Sequence, residues 1–257
     1  MNKKEFVKIG KEIFVVPKGN EYELIPNQVY NLEWDGWNER SIFKENGELN
    51  LPSTIYETKS DSIFRKRIIN YFNTTTSNTT GVLLAGTKGT GKTVTAKLLA
   101  KESNLPIIII DPKFPENKLI NFFKTFETPV CILFDEIEKK FNTTKMLDFL
   151  DGVEKTAKKL IIMTCNDTSN ISEYMEDRCS RVRYVRNYEA NENVELLPII
   201  ADNLNIKNKE EVIKFCNDNI CLLSIDNIIA FMQEVKSLED EDISLQDIIQ
   251  YLNISTK

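Results

Sequence analysis

The sequence predicts an α/β fold in which a parallel sheet is covered by helices on both faces. From Gly81 onward, short apolar runs alternate with segments of helical periodicity. The apolar runs are nearly continuous, as in strands buried on both faces, and strand–helix alternation favours parallel pairing. After Asn191 the strand-like runs stop and four amphipathic helical patterns follow. These observations predict a sheet-based core followed by a small helical unit.

The predicted elements follow one another in a regular order. The strands are GVLLAG, PIIIID, VCILFDE, LIIMTCN and RVRYV, and the helices between them are KTVTAKLLAKES, ENKLINFFKTF and KMLDFLDGVEKTAKK. Another helix, KSDSIFRKRIINYF, precedes the first strand, and Ser60 or Asp61 is expected to cap it. The helical unit comprises ENVELLPIIADNL, KEEVIKFCND, SIDNIIAFMQEV and SLQDIIQYLN.

Residues 1–58 carry a different pattern. Short extended pieces such as EIFVV are separated by proline, glycine and asparagine, and helical periodicity is absent. This pattern predicts a small β-rich N-terminal region. We therefore expect three units: the β-rich region at 1–58, the α/β core at 59–190 and the helical unit at 191–257.

The composition excludes several classes of protein. The 257-residue chain has 41% hydrophobic residues, enough for a sizeable core, and its net charge of -6 does not support a broad basic surface for nucleic acid. The chain contains no histidine, which excludes Ser-His-Asp catalysis, Cys-His catalysis and histidine-based metal sites. General-base chemistry must therefore come from a carboxylate.

The same composition leads us to expect a cytoplasmic protein that does not associate with a membrane. No apolar run reaches transmembrane length, and the N-terminus lacks the features of a signal peptide. The five cysteines show no metal-site or redox spacing, which favours reduced thiols. The abundance of Asn, Lys and Ile suggests an AT-rich genome such as that of a bacteriophage, in which case the compartment is the host cytoplasm.

The clearest motif is the glycine-rich stretch GTKGTGKT, which lies between a predicted strand and a predicted helix. It fits G-x-x-x-x-G-K-[ST], a loop whose backbone N–H groups converge on phosphate oxygens beside the positive end of a helix. Lys92 is expected to reach the β- and γ-phosphates of ATP, and Thr93 to place its hydroxyl on Mg²⁺. The predicted nucleotide-binding residues are Gly86, Thr87, Lys88, Gly89, Thr90, Gly91, Lys92, Thr93, Val94 and Asp135.

Three polar side chains follow two other predicted strands. Asp135 and Glu136 end VCILFDE, and Asn166 ends LIIMTCN. Ligands of open α/β sheets bind at the carboxyl ends of the strands. Asp135 is expected to hold Mg²⁺ together with Thr93, and Glu136 to polarise the water that attacks the γ-phosphate. Asn166 is expected to orient that water or to contact the γ-phosphate.

With these motifs in place, the chain resembles the AAA+ ATPases from about Phe64 to Tyr188. GVLLAGTKGTGKTVTAKLLA resembles their Walker A segment, CILFDEIEKKF resembles Walker B, and MLDFLDGVEKTAKKLIIMTCND resembles the segment leading to sensor 1. EDRCSRVRYV resembles the segment that carries their arginine fingers. The order of these motifs, followed by a helical lid, narrows the resemblance from P-loop NTPases in general to AAA+.

The resemblance implies a homo-oligomeric ring, commonly a hexamer, with ATP at the subunit interfaces. Arg178 and Arg181 are both candidates for the finger that reaches a neighbour's γ-phosphate. Arg183 and Arg186 are expected to be ordinary surface charges that flank a strand.

The chain departs from the family pattern in two places. The segment after Asp111 is short, and only Lys113 and Phe114 could form a pore loop, with a structural loop as the alternative. The lid lacks an obvious sensor 2 arginine, and Asp226 lies near its expected position. Without that cation, γ-phosphate sensing would depend more on Lys92 and the fingers. Ile55 and Tyr56 are candidates for the adenine pocket.

The leading hypothesis is an AAA+ ATPase that remodels a protein or nucleoprotein client, with the N-terminal region contacting that client. A clamp-loader or helicase-loader ATPase acting on DNA is the first alternative, favoured by RCSRVRY and disfavoured by the net charge. A monomeric P-loop kinase is the second, and it would need neither arginines from a neighbour nor a four-helix lid. A nucleotide-gated interaction module with little turnover is the third, and the acid pair together with Asn166 argues against it.

Overall fold

The structure is a computed structural model that describes residues 4–9, 11–17, 23–124, 126–142, 146, 149–150, 157–166, 181–221 and 223–256. Within these residues the chain forms one nine-stranded sheet with the order β1-β2-β4-β3-β6-β7-β8-β5-β9. The strands are β1 Lys4–Ile9, β2 Glu12–Pro17, β3 Val29–Asp35, β4 Arg40–Glu45, β5 Thr79–Gly86, β6 Ile107–Ile110, β7 Val130–Phe134, β8 Lys159–Cys165 and β9 Tyr184–Tyr188.

The described helices lie between and after the strands of the core. Before the last strand they are α1 Lys59–Thr74, α2 Lys92–Glu102, α3 Glu116–Phe123 and α4 Ile137–Lys140. After it, a 3-10 helix Ala190–Leu196 leads into α5 Leu197–Asn203, α6 Lys209–Asn219, α7 Ile225–Ser237 and α8 Leu245–Gln250. In the described part of the chain, no helix is long and apolar enough to cross a membrane.

The five predicted strands of the core are confirmed as a parallel set, with the last beginning three residues later than RVRYV suggested. β8 pairs with β7 on one side and with β5 on the other, and β9 lies beyond β5. β8 comes last of β5, β7 and β8 in the chain but lies between the other two. The carboxyl ends of β5, β8 and β7 are therefore neighbours, and they bring the glycine-rich loop, Asn166 and the acid pair to one edge.

The N-terminal strands belong to the same sheet, which makes the sheet mixed rather than purely parallel. β1, β2, β4 and β3 pair antiparallel, and β3 then pairs parallel with β6, with Val29 opposite Ile107. Tyr30 and Phe43 are fully buried, and the Phe43 ring contacts Phe122 of α3. Joining the sheet covers this apolar face, which a separate small β unit would leave in water. The division of the chain at 58 and 190 stays a prediction.

Helices cover both faces of the sheet, as predicted. Ile68 and Phe72 of α1 and Leu99 of α2 pack on one face, whereas Leu119 and Phe123 of α3 pack on the other. The four helices after the last strand, α5 to α8, form the helical lid, and they have an apolar core of their own around the fully buried Phe231 and Met232. Most of the predicted helix KMLDFLDGVEKTAKK lies outside the described residues, although positions 146, 149 and 150 are helical.

The cap of α1 differs from the prediction. Thr58, rather than Ser60 or Asp61, is the N-cap residue, and its hydroxyl accepts a hydrogen bond from the Asp61 N–H at 3.2 Å. Thr58 has extended backbone angles, whereas Ser60 and Asp61 already lie in the first helical turn. A cap residue must be non-helical itself, which explains the difference.

Candidate active site

The glycine-rich loop connects β5 to α2 through backbone angles that favour glycine. Gly86, Gly89 and Gly91 have φ values of 124°, 73° and 94°. A Cβ on Gly86 would lie 2.1 Å from the Tyr188 carbonyl oxygen, so no side chain fits there. The glycines thus allow the tight turn at the start of α2 that a phosphate-binding nest of N–H groups requires.

Lys92 crosses this loop from the first turn of α2. Its side chain is buried, and its ammonium donates hydrogen bonds to the carbonyl oxygens of Gly86 at 2.8 Å and Thr87 at 2.6 Å. Burial lowers the pKa of Lys92, and nearby acids, among them Glu136 and Asp135, partly offset that effect. A cation placed in so poorly solvated a loop interacts strongly with phosphate oxygens.

A chain of hydroxyl and carboxylate oxygens joins the loop to the acid pair. The Thr93 hydroxyl donates to Asp135 Oδ1 at 3.1 Å, and the buried Thr164 hydroxyl donates to the same oxygen at 2.6 Å. Thr164 Oγ1 also accepts from the Glu136 backbone N–H at 2.9 Å. Thr164 therefore fixes the orientation of Asp135 and the backbone of Glu136 at the same time.

Thr93 and Asp135 fit the chemistry of Mg²⁺, which prefers oxygen ligands and retains waters. No group of three or more acidic, cysteine or histidine side chains that could hold a metal occurs within the described ranges. A site made of Thr93, Asp135, phosphate oxygens and water matches this sparse donor set. When bound, Mg²⁺ would neutralise charge on the phosphate oxygens.

Glu136 follows β7 in the left-handed region, with φ 53°. Its Oε1 atom accepts hydrogen bonds from Asn166 Nδ2 and from Lys139 Nζ, both at 2.7 Å. The contact with Glu136 raises the pKa of Lys139. Asn166 Nδ2 also donates to Glu138 Oε1 at 3.2 Å. The predicted base and the predicted sensor amide are therefore in direct contact.

A cavity of about 400 Å³ connects these groups to the lid and to the loop before α1. Lys92, Glu136 and Asn166 line one part of this pocket, and Ile55 and Tyr56, the candidates for the adenine pocket, also line it. The Tyr56 hydroxyl donates to Asn203 Oδ1 at 2.8 Å. The pocket thus offers polar groups for phosphate and apolar groups for a base.

The lid contacts the glycine-rich loop directly. The Ile225 N–H donates to the Gly89 carbonyl oxygen at 2.7 Å. Ser224 caps α7 by accepting from the Asn227 N–H at 3.1 Å. Ile225 and Asp226 line the pocket beside the loop. The lid therefore contributes a carboxylate to the lining of the pocket beside the loop.

The four arginines near residue 180 have different environments. Arg178 lies outside the described residues. Arg181 is half-buried and precedes β9, near the amino ends of the strands, whereas exposed Arg183 lies over the Tyr71 ring at 4.0 Å. The prediction of a simple surface charge is wrong for Arg186, which pairs with Asp61 at 2.7 Å and Glu192 at 2.8 Å.

The alternative roles of Lys113 and Phe114 are also resolved in part. Phe114 is buried, and the centroid of its ring lies 5.8 Å from that of Trp34 and 6.3 Å from that of Phe122. Lys113 is exposed. The aromatic side chain is therefore a core residue, which supports the structural loop rather than a pore loop.

Sequence reasoning missed Thr164 and Glu138. Thr164 is the polar residue within the otherwise apolar run LIIMTC, and Glu138 is the second glutamate in FDEIE. A hydroxyl inside a fully buried strand usually has a hydrogen-bond partner, so the polar interruption was a usable signal. Glu138 carries no comparable signal, because a first helical turn commonly holds an acid.

The fold and the site together define a P-loop nucleoside triphosphatase. The model of the AAA family, ATPases associated with various cellular activities, matches residues 82–187, which include the loop, the acid pair and Asn166. Residues 82–187 therefore resemble an AAA ATPase domain, and ATP binding and hydrolysis are what this family implies for that segment.

Known proteins resemble this chain in sequence over part of its length or in fold. A Plasmodium falciparum (isolate 3D7) protein, provisionally named a cell division cycle ATPase, is 32% identical over 114 residues. That match spans 35% of this chain and 9% of the length of the Plasmodium protein.

The Thermotoga maritima RuvB Holliday junction branch migration motor is a structural neighbour with a TM-score of 0.52 and 15% identity, covering 77% of this chain and 70% of RuvB. A RuvB variant gives a TM-score of 0.55 with 15% identity, covering 78% of this chain and 72% of the variant. At this level of identity the likeness concerns the fold.

Proposed function

We propose that this chain hydrolyses ATP with Glu136 as the group that polarises the attacking water. The observation that carries the proposal is the hydrogen-bonded network from Thr93 through Asp135 and Thr164 to Glu136 and Asn166. It joins a phosphate-binding loop to a candidate base at one edge of the sheet. Lys92 and the loop N–H groups would bind phosphates, whereas Asn166 would orient the base.

Substitution of the base tests this proposal. Glu136→Gln keeps the size and the acceptor oxygen of the side chain but removes its basicity, so we expect ATP binding to persist and phosphate release to stop. Glu127→Gln, the same change at an exposed position, is the matched control and should retain full activity. Full hydrolysis by Glu136→Gln would refute the assignment.

We also propose that ATP lies between subunits of a homo-oligomeric ring, commonly a hexamer in this family, with Arg178 or Arg181 reaching a neighbour's nucleotide. The Arg183 N–H donates to the Gly81 carbonyl, which places residues just before Arg183 beside the amino end of β5. Gly81 precedes Gly86 by five residues, or about 17 Å at a strand rise of about 3.3 Å per residue. The position of Arg181 near the far end of the strand favours a role towards another subunit.

Mixing two inactive variants tests this shared site. We expect both Glu136→Gln and the double variant Arg178→Ala/Arg181→Ala to be nearly inactive alone. Together they should regain activity, because an arginine from the first can serve the intact Glu136 of the second. A second expectation is that activity per chain rises with protein concentration. A mixture without regained activity, or a monomer with full activity at every dilution, contradicts the proposal.

The use of the ATP energy is a further part of the proposal. We favour remodelling of a protein or nucleoprotein client, with residues 1–58 as the contacting region. RuvB, named a branch migration motor, shares the fold and favours DNA as the second candidate. The net charge of -6 opposes it. ATPase activity that is stimulated by DNA and falls steeply with salt would select DNA, and activity indifferent to DNA would select a protein client.

A further inference from the structure

The lid places an acidic side chain beside the phosphate-binding loop. Asp226 lies in the first turn of α7 and lines the same pocket as Lys88, Gly89 and Lys92. Its Oδ2 atom lies 3.8 Å from the position that a Cβ on Gly89 would occupy. The carboxylate is therefore next to a loop whose geometry and charge suit an anion.

Backbone contacts hold Asp226 at this position. The neighbouring Ile225 N–H donates to the Gly89 carbonyl oxygen at 2.7 Å. The Ser224 Cβ lies 2.6 Å from the point that a Cβ on Gly89 would occupy, and this point is open only because residue 89 is glycine. Asp226 follows Ser224 and Ile225 directly. Its backbone can leave the loop only if the Ile225–Gly89 hydrogen bond breaks.

An acid at this place has a structural role as well. Asp226 lies near the positive end of α7, where a carboxylate stabilises the helix. That contribution is the same whichever nucleotide is bound. An effect on the relative affinities of two nucleotides therefore separates a role towards the ligand from a role in the helix.

We propose that Asp226 is a specificity-determining residue that disfavours ATP relative to ADP. This inference rests on the proposed function, since it requires a nucleotide in this pocket. ATP brings one more negative charge to the loop than ADP, and like charges within a Debye length repel. Lys92 favours the added charge and Asp226 opposes it. The lid thus reduces the preference for the triphosphate that the loop alone would have.

Two asparagine variants provide the test. Dissociation constants of ADP and of a non-hydrolysable ATP analogue, each with Mg²⁺, are measured by calorimetry for the full chain. Asp226→Asn should increase the ratio of the ADP constant to the ATP-analogue constant about threefold to tenfold. Asp242→Asn makes the same charge change at an exposed lid position outside the residues that line this pocket, and should leave the ratio unchanged.

The possible failures are distinguishable. An unchanged ratio in Asp226→Asn overturns the inference and leaves the proposed ATPase function intact. No binding of either nucleotide by the wild-type chain overturns the proposed function and the inference with it. If Asp226→Asn is poorly folded by circular dichroism, Asp226→Ser removes the same charge with a residue that suits a helix start, and the same change in ratio is expected.

Discussion

Replacement of Thr164 by valine removes one hydroxyl and keeps the shape of the side chain. The hydroxyl donates to Asp135 Oδ1 at 2.6 Å and accepts from the Glu136 N–H at 2.9 Å, and the residue is 1% exposed. Thr164→Val therefore removes a hydrogen bond to a carboxylate and leaves the partly buried Glu136 N–H without this acceptor. Taken together, these losses cost about 2–4 kcal/mol of unfolding free energy.

The same substitution should slow catalysis. Glu136 has the left-handed φ of 53°, and the bond from its N–H to Thr164 helps to hold it there. A base displaced by a fraction of an ångström loses rate steeply, so we expect kcat to fall by about tenfold to 100-fold. Urea unfolding and steady-state phosphate release measure the two effects on one preparation.

Thr164→Ser is the matched control, because it keeps the hydroxyl and removes the methyl group. We expect a loss of about 1 kcal/mol in stability and a kcat close to wild type. If Thr164→Val matches Thr164→Ser in both stability and kcat, the hydroxyl does not position Asp135 and Glu136, and the reasoning is refuted.

Two other predictions concern the scaffold of the site. Lys159 is buried, and burial lowers its pKa from the ordinary value of 10.5 to about 8. Between these two pH values the unfolded chain binds the proton more tightly than the folded chain, so the stability of the wild type rises with pH. Relative to Lys159→Met, wild type should gain about 2 kcal/mol from pH 7.5 to 9.5 in urea unfolding. Gly86→Ala should cost about 2–4 kcal/mol in thermal or urea unfolding and weaken ATP binding, because its Cβ would lie 2.1 Å from the Tyr188 carbonyl oxygen.

Clear outcomes would contradict these two expectations. A stability difference between wild type and Lys159→Met that does not change with pH would show that the ammonium is well solvated. Gly36→Ala, which introduces a Cβ with nothing within 4 Å, is the control for Gly86→Ala. Equal stability of the two alanine variants would contradict the close approach at Gly86.

The sequence predicted the features that depend on contiguous residues. The glycine-rich loop, the acid pair after β7 and Asn166 after β8 each follow a buried strand, and parallel strands bring such ends to one edge. Asn166 was expected to act on water or the γ-phosphate, and the structure adds its contact with Glu136. The helical lid was also visible as a change in periodicity.

The features that sequence reasoning missed depend on which elements become neighbours. Thr164 reaches Asp135 because β8 lies beside β7, and the spacing of residues along the sequence does not predict the order of strands in a sheet. Arg186 pairs with Asp61, 125 residues earlier in the chain, for a similar reason. The N-terminal strands belong to the sheet because β3 pairs with β6, and no sequence motif predicts this pairing.

Single-turnover hydrolysis shows whether this site hydrolyses ATP through Glu136. Excess protein is loaded with ATP and Mg²⁺, bound nucleotide is measured, and phosphate release is followed in wild type and in Glu136→Gln. We predict equal binding and a rate at least about 100-fold lower in the variant. Equal rates in the two proteins would show that Glu136 is not the base, and no phosphate release by wild type with ATP bound would show that the site does not hydrolyse ATP.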